Sequence, residues 1–470
     1  MSAPNAPVKR RLCLRASRAV ALVVACAVVI ASMPQAAFAQ RGLPVIRDAE
    51  IENLLRDYTR PILRAAGLSQ QNVEVTIINN RAFNAFVMDG RRIFVNAGAL
   101  MQSETPNQLI GVLAHETGHI AGGHLAKLRT ELSHASTMAV IGMLLGVGAT
   151  IAGARSGQVG GNPAAVALGA PTAMMQRSLL AYQRQHEEQA DRAGVKFLTA
   201  THQSARGMYE TFKRFADEQL FASQGSDPYL QSHPMAADRI AALEVMARTP
   251  YWDKKDPPAL QLRHDMMRAK LHGFMDQPGV VARLYPRSDD SLPARYARAI
   301  SAYRYGGVRT AIDQIDGLIQ SEPGNPYFYE LKGQALLESG NPAAAVAPLR
   351  KAVSMAPNPV LIQVLLAHAL IETGDARSAD EAIGYLRRAL LSDPDIADGY
   401  DHLAKAYGRK GDIAQADLAA AQAAFARGDT RTARQLAARA KTRFPVGSPG
   451  WVKADDIAAF KPPASRSGNR

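Results

Sequence analysis

The stretch VLAHETGHIAGGH, Val112–His124, places His115, Glu116, His119 and His124 within ten residues. An α-helix turns about 100° per residue, so His115 and His119 lie about 40° apart on one face and can aim ring nitrogens at one ion. His124 falls about half a turn from His115, on the opposite face. The longer pattern HExxHxxGxxH would put its third histidine at position 125, where this chain has Leu125, although Gly122 fits. His124 is therefore read as a packing or capping residue. The run SETPNQLIGVLAHETGH supports the helix itself: Thr105 serves as N-cap, Pro106 takes the first helical position, and Gln108 completes a capping box. Leu109, Val112, Leu113 and Ile120 supply a buried side.

Both cysteines, Cys13 and Cys26, fall within the first 39 residues, so ligands in the rest of the chain must be His, Asp or Glu. Zinc in hydrolytic sites takes three protein ligands and keeps one position open, so a third ligand must come from elsewhere. The segment HEEQADRAG, His186–Gly194, supplies it on the next strong helical pattern. Glu187 and Asp191 are four residues apart and share a face, which lets Glu187 bind the metal while Asp191 orients a ligand histidine through its other ring nitrogen. His186 and Glu188 point away from that face. A solvated, charged helix face is the plainer reading of the segment if HExxH is set aside.

Residues 1–39 have the three parts of a secretory signal: the basic stretch KRRLCLRASR, the apolar run AVALVVACAVVIASM, and the small-residue ending at Ala37–Ala39. Cleavage near Ala39 removes Lys9, Arg10, Arg11, Arg15 and Arg18, taking five charges from the formal +13 and leaving +8. Basic and acidic residues are otherwise interspersed, with no basic stripe interleaved with aromatics, so nucleic acid is excluded as a partner. The uncharged run from Ala135 to Ala154 contains four glycines and reads as a core or interfacial hairpin making peripheral membrane contact rather than a span.

Upstream of the histidines, VEVTIINN (Val73–Asn80) and RRIFVN (Arg91–Asn96) read as strands, with Asp89-Gly90 as a two-residue turn between them and a small antiparallel sheet as the result. Downstream of Tyr251 the chain reads as a linker. Gly306, Gly340 and Gly374 then recur every 34 residues, with Gly411 following after 37, and Pro323, Pro357 and Pro394 keep the same offsets. A unit of this length, with glycine between two Ala/Leu-rich helices, resembles the tetratricopeptide repeat. TRTARQLAARAKTRF reads as its terminal cap. At 470 residues the chain exceeds the ~250 to 300 at which single cores stop growing. The division expected is a signal peptide at 1–39, a metalloprotease domain at 40–250, a helical linker at 251–290, a repeat domain at 291–460 and a disordered tail at 461–470.

HETGH followed by EEQAD (Glu187–Asp191) resembles the HExxH and ExxAD pair of the zinc endopeptidases that include the CAAX prenyl protease and HtpX. FNAFVMDGRRIFVNAGAL is similar to that class's hairpin before the catalytic helix, and SHPMAADRI to its His-Pro…Arg segment. The order of signal, protease domain and repeats is that of the BepA-like periplasmic members. The resemblance implies a mainly α chain: an α+β zincin-type metalloprotease domain with a small antiparallel sheet, followed by an α-helical tetratricopeptide-repeat solenoid. It implies one zinc ion per chain on His115, His119 and Glu187, with Glu116 as general base for water attacking a peptide carbonyl. His233 or Arg239 is the candidate to stabilise the oxyanion, and in BepA-like proteins a histidine at the position of His233 implies a gate on the metal instead. An edge strand at residues 83–88 is a candidate to pair with extended, unfolded substrate.

The function expected is periplasmic hydrolysis of misfolded or misassembled envelope proteins, an outer-membrane quality-control role in which the repeats hold clients or the outer-membrane assembly machinery. Two other readings stand beside it. One is a periplasmic chaperone or adaptor acting through its repeats with a latent protease site. The other is a membrane-embedded protease that uses residues 135–154 as a span.

Overall fold

The computed structural model describes residues 44–88, 90–128, 130, 184–221, 233 and 235–461. The signal segment 1–39, Asp89, the run 135–154 and residues 462–470 of the tail lie outside them. Among the described residues, no helix is long and apolar enough to cross a membrane.

β1 (Val45–Ile46) leads into α1 (Ala49–Ala65), whose N-cap Asp48 accepts from the Ile51 N–H at 2.9 Å. Ile51, Leu54, Leu55, Tyr58 and Ile62 of α1 follow the helical repeat and are buried. β2 (Glu74–Ile78), β3 (Ala85–Val87) and β4 (Arg92–Asn96) follow, and the sheet order is β1-β2-β4-β3. β4 runs parallel to β2, pairing Val75 with Ile93, and antiparallel to β3, pairing Phe86 with Phe94. The sheet is therefore mixed, which corrects the antiparallel expectation.

Burial explains the order. Ile93, Phe94 and Val95 are all buried, so β4 takes an inner position, where consecutive residues are covered on both faces. The three-residue β3 is left at the edge. The ladder ends at Val87 and Ile93, so the connection is longer than the expected two-residue turn, with Gly90 at φ +74°.

After α2 (Ala97–Gln102) comes α3 (Pro106–Ala121), the histidine helix. Thr105 accepts from the Gln108 N–H at 3.3 Å, while the Gln108 side chain accepts from the Glu104 N–H at 2.7 Å, one residue before the expected capping-box partner. α4 (residues 184–200) packs against α3 with almost no side chain between them. A Cβ on Gly118 would sit 2.8 Å from the Ala190 carbonyl oxygen, and one on Gly194 would sit 3.2 Å from the His115 nitrogen. The small residues around the acidic pair thus set the helix spacing. α5 (Arg206–Phe221) and α6 (Ala237–Ala247) close this layer, and Leu109, Val112, Leu113, Phe212, Phe215 and Leu243 share the core with α1.

α7 (Pro258–Met275) lies within residues 251–290, where a helical linker was expected. Its Met267 and Leu271 enter the core beneath α3, whereas Met266 joins a second core with Tyr296, Ile300 and Phe328. One helix thus serves two cores.

α8 (Pro278–Leu284) leads to five helix pairs. They are α9 (Leu292–Tyr305) with α10 (Val308–Ser321), α11 (Pro326–Glu338) with α12 (Pro342–Met355), α13 (Val360–Glu372) with α14 (Ala376–Ser392), α15 (Ala397–Arg409) with α16 (Ile413–Ala426), and α17 (Thr430–Lys441) with α18 (Pro449–Ala459). The periodic glycines end the first helix of a pair: Gly340, Gly374 and Gly411 have φ of +83°, +80° and +75°, the left-handed region that glycine enters without strain.

The junction between the two cores is a buried ionic cluster. Lys270 of α7 donates to Asp48 Oδ2 at 2.7 Å and Glu50 Oε2 at 3.1 Å, and the Tyr296 hydroxyl donates to Glu50 at 2.9 Å.

Candidate metal centre

His115 and His119 stand one turn apart on α3, Glu187 and Asp191 one turn apart on α4, and His233 and Arg239 come from the approach to α6 and its first turn. All six are buried except His119, which is partly so. The close approach allowed by Gly118 and Gly194 brings His115 within reach of Glu187 and Asp191, and His119 within reach of Glu187.

His119 Nε2 lies 3.1 Å from His115 Nε2 and 3.3 Å from Glu187 Oε1. His115 Nε2 is 3.3 Å from Glu187 Oε2 and 3.3 Å from His233 Nδ1, and that nitrogen is 2.9 Å from Glu187 Oε2. One ligand atom from each of His115, His119, Glu187 and His233 lies within 4.8 Å of all the others. Behind them, His115 Nδ1 faces Asp191 Oδ1 at 2.9 Å. Arg239 donates to both Asp191 oxygens at 2.7 and 2.9 Å and lies 3.0 Å from Glu187 Oε2.

Tautomers follow from the outer partners. His115 Nδ1 lies 2.9 Å from the Asp191 carboxylate, which favours the proton on that nitrogen, and a proton on His233 Nε2 points to the Ala85 carbonyl at 3.3 Å. The opposite nitrogens then present lone pairs to the same point that the Glu187 carboxylate faces. Three imidazole lone pairs and a carboxylate repel one another unless a cation sits among them, and a set of nitrogens with one carboxylate oxygen suits zinc and several other divalent ions. The donor set fits a metal.

Without an ion, positive charge settles on two of these imidazoles instead. Burial disfavours charge on His115, yet Asp191 and Glu187 raise it to about 9, and His233 is likewise raised, against burial, by Glu187 and Glu116. His119 is pushed down to about 3, chiefly by burial. Glu187 is held well below the usual carboxylate range by His233, His115 and His119, although burial opposes this. The chain therefore keeps a carboxylate and a neutral imidazole ready and draws positive charge to the remainder.

Glu116 is different. It is fully buried, neither carboxylate oxygen has a hydrogen-bond partner among the described residues, and burial raises its pKa. Its nearest cationic neighbour is His233 Nε2, 3.4 Å from Oε1. A buried carboxylate left without a donor is costly, and such groups persist where a ligand or water completes them.

Every candidate site residue converges here, and Arg239 holds two carboxylates. The residue that sequence reasoning set aside is His124. Although nine positions from His115, it reaches His119 Nδ1 at 3.0 Å, because the helix ends at Gly122 and Gly123 turns the chain back at φ +62°. The signal for it was the pair of glycines rather than the helical angle.

Residues 47–247 match peptidase family M48, and residues 326–359 match the tetratricopeptide repeat. The chain carries an M48-type peptidase domain followed by a tetratricopeptide repeat. This peptidase is 23% identical over 412 residues to the beta-barrel assembly-enhancing protease of Yersinia pestis, covering 86% of this chain and 82% of the relative. It is 24% identical over 372 residues to the protein of the same name from Escherichia coli (strain K12), covering 77% and 73%. Over 66 residues, 14% of the peptidase and 20% of the relative, it is 36% identical to the mitochondrial metalloendopeptidase OMA1 of Schizosaccharomyces pombe.

Proposed function

We propose that the protein is an exported, periplasmic zinc endopeptidase that hydrolyses misfolded or misassembled envelope proteins. His115, His119 and Glu187 would hold the ion, and Glu116 would act as general base. The observation that carries this reading is the buried Glu116 carboxylate, without a hydrogen-bond donor among the described residues, beside a converging set of three imidazoles and one carboxylate.

A divalent ion held there would supply Lewis acidity, lowering the pKa of water and polarising a peptide carbonyl. Glu116 takes the proton of the attacking water and returns it to the leaving nitrogen; its raised pKa brings it towards the range where a base works at neutral pH. Asp191 fixes the His115 tautomer, and Arg239 holds Asp191 and Glu187 in register. His233 occupies the remaining corner of the donor set, which suits a gate: its imidazole stands where substrate would approach, and the active state requires it to withdraw.

β3 is one of the two edges of the sheet, and its Ala85 carbonyl lies beside His233. An extended peptide adding to that edge would pass the centre through backbone pairing with little sequence preference, which suits unfolded clients. The names of the Yersinia and Escherichia relatives support work on outer-membrane β-barrel assembly, with the repeats holding a client or the assembly machinery.

The position of His233 also favours a second reading, a chaperone or adaptor whose protease site stays latent. One experiment separates them: metal content of the purified protein and of Glu187→Ala, followed by casein hydrolysis by His233→Ala. About one zinc per chain, reduced in Glu187→Ala, with faster hydrolysis in His233→Ala, supports the gated peptidase. A folded protein that retains no metal sinks it.

A further inference from the structure

His119 Nε2 faces Glu187 and His115, so its Nδ1 is the nitrogen left to be fixed from behind. The group there is the His124 ring, with Nδ1 3.0 Å from His119 Nδ1 and Nε2 3.2 Å from the Gln189 side-chain oxygen. An amide oxygen only accepts, so the His124 proton lies on Nε2 and is donated to Gln189. Its Nδ1 then carries a lone pair, which can only accept, and His119 Nδ1–H donates to it. The proton order runs one way from Gln189 to the centre, and it ends with the His119 Nε2 lone pair directed at Glu187 and His115.

We propose that His124 is a positioning residue that holds His119 in its ligating tautomer and orientation. This inference rests on the metal-centre reading above. The two ligand histidines are thus held by unlike means. Asp191, a carboxylate backed by Arg239, holds His115, and a neutral imidazole backed by an amide holds His119.

The local chain is built to permit this. His124 is 5% exposed, and its ring meets that of His186 edge-on with centroids 4.2 Å apart. A Cβ on Gly122 would stand 2.6 Å from His124 Cδ2 and 2.8 Å from Cε1, so only glycine leaves room for the ring to lie back over the helix end. Gly123, at φ +62°, makes the reversal that aims it there. The sequence Gly-Gly-His is therefore one device, in which two backbone positions deliver one imidazole. Gln189 is donated to this device from the same helix that carries Glu187, so α4 braces both the donor set and its support.

The test uses the full-length protein and three variants: His124→Leu, His124→Asn and Gly122→Ala. Zn2+ affinity is measured by competition with a chromophoric chelator, and the His119 tautomer is read from 15N shifts of labelled histidine in metal-free protein. His124→Leu should weaken Zn2+ binding by about 10- to 100-fold, the usual cost of losing a residue that orients a ligand, and should leave His119 in mixed tautomers. His124→Asn, whose side-chain oxygen can still accept near the Nδ1 position, should recover most of the affinity. Gly122→Ala keeps every polar group and should still weaken binding by displacing the ring.

Wild-type affinity together with an unchanged His119 tautomer in folded His124→Leu overturns the proposal and leaves the metal centre standing. If His124→Leu does not fold, His124→Asn and Gly122→Ala decide the question. Should the wild-type protein take up no zinc, the functional reading fails instead, and the metal-free tautomer still tests the pairing of His119 with His124.

Discussion

Two buried charge clusters, one around Lys270 and one around Glu187, both gather carboxylates and end in opposite states. At the junction the chain supplies its own cation: Lys270 answers Asp48 and Glu50, and Tyr296 answers Glu50 again. At the metal centre Arg239 answers Asp191 and Glu187, but the imidazoles converge on one point and Glu116 has no hydrogen-bond donor among the described residues. A cluster whose cation faces its carboxylates orders the fold, while one that also converges ligand atoms on a point beside a donorless carboxylate is completed from outside. The difference lies in the balance of donors and acceptors rather than in burial.

Glu116→Gln tests that contrast most strongly. If the orphan carboxylate serves water rather than the fold, activity falls by about 10²- to 10⁴-fold while zinc content and the thermal melt stay at wild-type values. Marked unfolding of Glu116→Gln would make the two clusters alike and defeat the distinction. Lys270→Met should do what Glu116→Gln does not: leaving Asp48 and Glu50 buried without their cation costs about 3–5 kcal/mol, read from urea or thermal unfolding.

The smallest effect is a pH slope. Burial pushes Glu330, which stands near Lys270, up to about 8 against the pull of that lysine, from 4.5 in the unfolded chain. Folding therefore takes up a proton in that window. The stability Glu330 contributes is fully present below about pH 4.5 and is lost as pH rises through about 8. Glu330→Gln should flatten that part of the stability profile, and an unchanged slope would assign it to other groups.

Much of this was legible in the sequence because it is local. HExxH, its capping residues and the glutamate–aspartate turn of α4 are all one-turn spacings, and helical geometry alone puts each pair on one face. The 34-residue glycine period was legible for the same reason, since Gly340, Gly374 and Gly411 each answer a left-handed backbone demand of their own repeat. Three features were not. β4 pairs with β2 in parallel because burial decides which strand lies inside, and burial is not written between adjacent residues. Arg239 holds carboxylates carried by a different helix, a contact that no spacing specifies. His124 was misplaced because a fixed 100° per residue was carried past Gly122, where the helix had already ended.

The shared helix α7 has a consequence for taking the protein apart. Met267 and Leu271 fill the peptidase core while Met266 fills the repeat core, so no cut between residues 250 and 291 yields two intact pieces. Removing the repeats along with α7 would open a hole beneath the histidine helix. Keeping α7 without them would expose Met266 and strand Lys270 at a raw surface. The peptidase and repeat parts are therefore inherited as one cooperative block, and a mechanical pull on the repeats is felt by the helix under the metal centre.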